Sequence, residues 1–209
     1  MIIKICGMRD SQNIRQVEKL NPDMMGFMMW SGSKRYVSSR PSYLPDLCRV
    51  GVFVNPEPYE VINKVQEFGL NRIQLHGTES AEFCRMIHQA TGLPITKAIS
   101  VASVADFDTC RAYEHEECVD LLLFDTKCCG WGGSGQEFNW SLLENYHGCK
   151  PFILAGGIGP GSEEKIMSIR HPMFQGIDLN SRFESEPAIK EFSKLSVFIN
   201  NIRRYEQNK

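Results

Sequence analysis

Residues 121–140 read LLLFDTKCCGWGGSGQEFNW. They open with an apolar run, Leu121 to Phe124, that has the length and composition of a buried strand. The run ends on Asp125, and a loop with Gly130, Gly132, Gly133 and Gly135 follows. A carboxyl at the end of a buried strand, beside a flexible glycine loop, is how a barrel presents an acid to a substrate. The alternative is an aspartate that merely caps the next helix. The rest of the chain bears on that choice.

Eight short apolar runs recur along the chain, at residues 2–6, 24–29, 50–54, 72–76, 94–99, 121–125, 151–155 and 176–179. Their starts are about 22 to 30 residues apart, the length of a strand, a helix and two short loops. The intervening segments carry helical signals. Ser11 can cap a helix with Ile14, Val17 and Leu20 on one face, and Val61, Ile62, Val65 and Phe68 mark the third helix. Ser103 and Asp106 form a capping-box-like pair before Phe107, Cys110 and Tyr113. Ile189, Phe192, Leu195, Phe198 and Ile202 keep helical spacing to the end. Eight strands alternating with eight helices predict an α/β fold, a (β/α)₈ TIM barrel, as a single domain over residues 1–209. A doubly wound open sheet is the alternative, and eight evenly spaced units favour closure.

The chain has 209 residues and a net charge of -2, which makes no electrostatic case for nucleic acid. Its opening, MIIKICGM, is interrupted too soon for a signal peptide, and no apolar run approaches the roughly 20 residues of a membrane span. A soluble, cytoplasmic protein is expected. The eight cysteines include no C-x-x-C pair and are read as reduced, mostly core residues. His147 and Cys149 lack a second pair at zinc spacing, so no metal is expected.

In such barrels the functional groups sit at the C-terminal ends of strands. Those ends are Cys6, Arg35 just beyond strand two, Asn55, His76, Asp125, Gly156-Gly157 and Ser181-Arg182. On strand one, alternation puts Lys4 and Cys6 on one face and Ile3 and Ile5 on the other. With the isoleucines under the helices, Lys4 points into the barrel and needs a partner, for which Asp178 on the neighbouring strand eight is the candidate. The alternative role for Lys4 is a Schiff base. His76 shares its parity with Gln74 and reads as a hydrogen-bonded rim residue. Leu154-Ala-Gly-Gly-Ile-Gly-Pro, followed by Ser162, reads as strand, tight turn and helix start. With the loop at Asn180, Ser181 and Arg182 it makes a phosphate site after strands seven and eight. Gly130 to Gly135 match G-x-G-x-x-G, but the next strand ends without the acid that a dinucleotide site needs, so no nicotinamide cofactor is expected. A substrate-covering loop that includes Gly133 fits better.

Taken in order, KICGM (4–8), GSKRYV (32–37), VGVFVN (50–55), QLHG (74–77), DTK…GGSGQEFNW (125–140), LAGGI (154–158) and GIDLNSRFE (176–184) resemble phosphoribosylanthranilate isomerase. The resemblance runs over nearly the whole chain. It implies a phosphate-binding barrel of tryptophan biosynthesis. The substrate implied is N-(5-phosphoribosyl)anthranilate, rearranged from an aminoaldose to an aminoketose without a cofactor, by a monomer or homodimer. It implies Cys6 as general base, Asp125 as general acid, Arg35 near the anthranilate carboxylate, and phosphate loops at Gly156-Gly157 and around Ser181. The chain departs from the family where Arg182 replaces a glycine beside the phosphate. Its side chain is expected to lie outward and pair with Glu184 or Glu186. There are three rivals, one of them a ribulose-phosphate epimerase, which would need metal ligands that the strand ends do not offer. A sibling isomerase of histidine biosynthesis would use two aspartates, and strand one here ends in Cys6. A non-catalytic phosphosugar-binding barrel would need neither Cys6 nor Asp125.

Overall fold

A computed structural model of the chain describes residues 1–126 and 140–207. Eight parallel strands close into a barrel in chain order: β1 (Ile2–Ile5), β2 (Met24–Met28), β3 (Cys48–Phe53), β4 (Arg72–Leu75), β5 (Ile95–Val101), β6 (Val119–Thr126), β7 (Phe152–Leu154) and β8 (Phe174–Leu179). The ring shuts where β1 meets β8, with Lys4 opposite Asp178. The expected fold is therefore present, and every expected strand is found with its ends moved by a few residues.

The helical layer is less regular than the sequence pattern suggests. The described residues carry five α-helices: α1 (Ser11–Glu18), α2 (Pro58–Phe68), α3 (Ala81–Thr91), α4 (Glu163–Ser168) and α5 (Phe192–Gln207). Residues 29–47, between β2 and β3, form no helix, and Pro41 and Pro45 account for it, since each removes an N–H donor and restricts the residue before it. The capping box of Ser103 and Asp106 is present, but the turns it starts, Val104–Ala112, are 3₁₀, as are Trp140–Asn145. The cap of α1 is Asp10 rather than Ser11, its carboxylate accepting from the Asn13 N–H at 2.8 Å. Ile189 does not belong to the last helix. Pro187 and Ala188, the latter at φ 72°, turn the chain into a hairpin of β9 (Glu184–Glu186) and β10 (Ile189–Lys190). Helix α5 starts after it and buries Leu195, Phe198, Ile199 and Ile202.

Strand alternation divides the core into two layers. Ile3, Ile5, Phe27, Ile73, Leu75, Phe124, Leu154 and Ile177 face the helices. Ala98, Leu121, Leu123, Ile153 and Ala155 fill the barrel, with Cys6, Val50 and Val52 as a second inner cluster. Each large apolar side chain so buried contributes roughly 1.5–3 kcal/mol, so the alternation itself holds the inward set in place. Asp125 continues the inward set of Leu121 and Leu123, and Cys6 that of Ile2 and Lys4.

A buried ion pair ties two rim loops to the strands. Lys97 on β5 donates to Glu79 Oε2 at 2.9 Å and to the carbonyls of Leu75 and Gly77 at 3.2 and 2.8 Å. Glu79 in turn accepts the backbone N–H of Asn55 at 2.8 Å and of Gly77 at 2.9 Å. Both side chains are almost wholly buried. The loops after β3 and β4, which flank His76, are thus held by one carboxylate.

Candidate active site

The mouth of the barrel collects an unusual density of buried polar groups. Cys6 follows β1 and is buried. Gly26 on β2 lies beside it. A methyl there would stand 2.8 Å from Cys6 Sγ and 3.3 Å from Lys4 Nζ, so the thiol and the ammonium share the space that a side chain would fill. Lys4 Nζ lies 2.7 Å from Asp178 Oδ2. Burial works against the charge on Lys4, but Asp178 and then Cys6 outweigh it and hold its pKa above the usual value. Burial holds the Cys6 thiol above its usual value; Lys4 and Lys190 pull it down and Asp178 pushes it up, and burial wins.

Three strands round the ring from β1, Asp125 faces the same mouth from β6. Its Oδ2 is 3.3 Å from Nε2 of His76, which follows β4, and His76 Nδ1 is 2.9 Å from Gln74 Nε2. Asp178 stands between the two sets, feeling both Lys4 and Asp125.

The rest of the rim is cationic and glycine-rich. Arg35, in the loop after β2, clasps Glu184 through Nε at 2.8 and 3.0 Å and through Nη2 at 2.5 Å. Glu184 also takes the ammonium of Lys190, which donates to Asn180 Oδ1 at 2.8 Å. Gly7, at φ 76°, passes so close that a methyl on it would meet Arg35 Cδ and Asn180 Oδ1. Only glycine permits both that backbone and that approach. After β7, Gly156 and Gly157 take φ 80° and 69°, left-handed values that favour glycine, ahead of Ser162, the N-cap of α4. Ser181 begins a short 3₁₀ turn after β8.

The family model for N-(5'-phosphoribosyl)anthranilate (PRA) isomerase matches residues 3–201. The chain belongs to this family. It is 47% identical over 205 residues to the N-(5'-phosphoribosyl)anthranilate isomerase of Phocaeicola vulgatus, with 98% of each chain covered. It is 46% identical to that of Parabacteroides distasonis, covering 97% of this chain and 93% of the other. Among solved structures, the phosphoribosyl anthranilate isomerase of Thermus thermophilus superposes with a TM-score of 0.83 at 27% identity, over 98% and 99% of the two chains. A phosphoribosyl anthranilate isomerase in complex with reduced 1-(o-carboxyphenylamino)-1-deoxyribulose 5-phosphate superposes with a TM-score of 0.79, also at 27% identity, over 98% and 100%.

In this isomerase Cys6, His76, Gly156-Gly157 and Ser181 follow β1, β4, β7 and β8, and Asp125 is the next-to-last residue of β6, so each stands at the C-terminal end of its strand. Gly133 lies outside the described residues. Three named side chains have neighbours that the strand ends did not show. Arg35 is paired with Glu184. Asn180 turns its side-chain oxygen to Lys190 beneath the rim. Arg182 is exposed, in keeping with the outward side chain expected of it, and its stem lies along Gly159 in the turn after β7. Glu184 and Lys190 were missed as site residues. Glu184 was read as the last letter of a family motif and as a candidate partner for Arg182, and Lys190 was not read at all.

Proposed function

We propose that in this isomerase Cys6 is the general base and Asp125 the general acid that rearrange N-(5'-phosphoribosyl)anthranilate to 1-(2-carboxyphenylamino)-1-deoxyribulose 5-phosphate. The single observation that carries the assignment is their placement: both continue the inward face of their strands, and they meet at one mouth from β1 and β6. Asp125, protonated, donates to the ribose ring oxygen as the ring opens and is left as carboxylate. The open form is an iminium, which acidifies the neighbouring C2–H. The Cys6 thiolate takes that proton and gives an enolamine. The enolamine then tautomerises to the ketone, C1 gaining a proton as the enol oxygen gives one up, and proton exchange with solvent returns Cys6 to the thiolate and Asp125 to the acid.

A thiolate is required, and an ordinary thiol titrates near about 8.5. Burial, with Asp178 adding to it, holds the Cys6 thiol above its ordinary value against the pull of Lys4 and Lys190, so in the free protein the thiol form is favoured and the two lysines are the groups that stabilise the thiolate when it forms. Gly156, Gly157 and Ser181 offer backbone N–H groups to the phosphate. Arg35 has Nε and Nη2 turned to Glu184, so the substrate carboxylate meets the guanidinium from its Nη1 side.

Turnover is read from the loss of substrate fluorescence. Cys6→Ser and Asp125→Asn should each lose at least about 10²-fold in kcat, the lower end of what a positioned acid or base supplies. Near-normal turnover by either folded variant overturns its assignment.

A further inference from the structure

His76 stands at 3.3 Å from the proposed acid, Nε2 to Asp125 Oδ2, with each side chain only 15% exposed. Its other nitrogen, Nδ1, is 2.9 Å from Nε2 of Gln74, a side chain buried inside the barrel. An amide nitrogen can only donate, so Nδ1 accepts, and the proton of the neutral ring stands on Nε2, facing Asp125. Gln74 Oε1 has no hydrogen-bond partner among the described residues. A polar side chain in a position where an apolar one would pack is thereby explained by what its nitrogen does to the ring. The backbone around His76 is equally constrained. Its N–H donates to Phe53 O at 2.8 Å, and the next residue, Gly77, is held by Glu79, itself locked to Lys97.

We propose that His76 is the positioning residue of Asp125, with Gln74 setting its tautomer. The inference rests on the reading of Asp125 as the general acid. When Asp125 gives its proton to the ring oxygen, negative charge appears on the carboxylate. The Nε2–H of His76 already points at Oδ2, so that charge meets a donor that needs no rearrangement. His76 acts through Asp125 and not by holding the substrate. Its effect therefore belongs to kcat.

The test is a double-mutant cycle on the full chain, with turnover of the anthranilate substrate measured for wild type, His76→Leu, Asp125→Asn and the double variant, and with His76→Gln as the conservative replacement. His76→Leu should lower kcat by at least about tenfold and leave KM within about twofold. His76→Gln keeps an N–H within reach of Oδ2 and should recover most of the loss. In the Asp125→Asn background, His76→Leu should do nothing further, because the group it serves is gone. Should His76→Leu fail to fold, His76→Asn, whose shorter amide cannot reach Oδ2, takes its place. Independent, multiplicative losses in the double variant overturn the proposal while leaving the acid assignment intact, as does a loss confined to KM. Near-normal turnover of Asp125→Asn removes the acid assignment itself.

Discussion

The ammonium of Lys4 lies 2.7 Å from Oδ2 of Asp178 inside the barrel, and the two side chains are 1% and 7% exposed. They are register partners on β1 and β8, the strands that close the ring. An ion pair in this position sits at the seam of the fold and beside Cys6. Lys4→Met leaves Asp178 buried without its counter-ion, and breaking a buried pair in this way costs roughly 3–5 kcal/mol. Thermal unfolding should show a clear drop in Tm. An unchanged Tm with turnover abolished would instead put Lys4 in the chemistry.

Gly26→Ala tests how tightly the thiol is packed. The added methyl would stand 2.8 Å from Cys6 Sγ and 3.3 Å from Lys4 Nζ. Overpacking of this kind costs about 1–3 kcal/mol. Because the crowded atoms are those of the proposed base, kcat should fall as well, with KM less affected. A variant with wild-type Tm and kcat would mean that the two side chains move aside freely.

Glu79→Gln removes the charge that pairs with buried Lys97 while keeping the shape of the side chain. The loss should be near the same roughly 3–5 kcal/mol. The carboxylate also holds the N–H groups of Asn55 and Gly77, so the loops on either side of His76 should exchange their amide hydrogens faster. Unchanged unfolding and exchange would show that Glu79 is dispensable.

Glu184 gives a pH dependence with a definite sign. Burial pushes its carboxyl up, but Arg35 and Lys190 outweigh burial and hold it below 4.5. A carboxyl lowered on folding contributes stability that is fully present above its unfolded pKa, near about 4.3, and is lost as pH falls through the folded value. Glu184→Gln should therefore melt lower than wild type near neutral pH, and the gap should close in acid. A gap that persists at low pH would mean that the stabilisation does not come from the carboxylate's charge.

Much of this site could be read before any coordinates. The inward direction of Lys4, Cys6, Leu121, Leu123 and Asp125 follows from two-residue alternation, which backbone geometry imposes on consecutive residues. The pairing of Lys4 with Asp178 follows from alternation together with closure of β8 onto β1. The helical layer was less legible. Ile189 kept helical spacing with Phe192 and Leu195, yet the left-handed Ala188 folds it into a hairpin. Residues 29–47 had the length for a helix, and their prolines forbade it.

The sequence alone determined the eight barrel strands, the closure of strand eight onto strand one and the faces of Lys4 and Cys6, because each depends on near neighbours or on one topological rule. Apart from Lys4 and Asp178, only the tertiary structure decided which acid meets which cation. Arg35 finds Glu184 across 149 residues of chain, and Lys97 takes Glu79 from a neighbouring loop. Several carboxylates were available to each cation. The choice fell to the loops that bring two charges together where burial leaves no water to satisfy them.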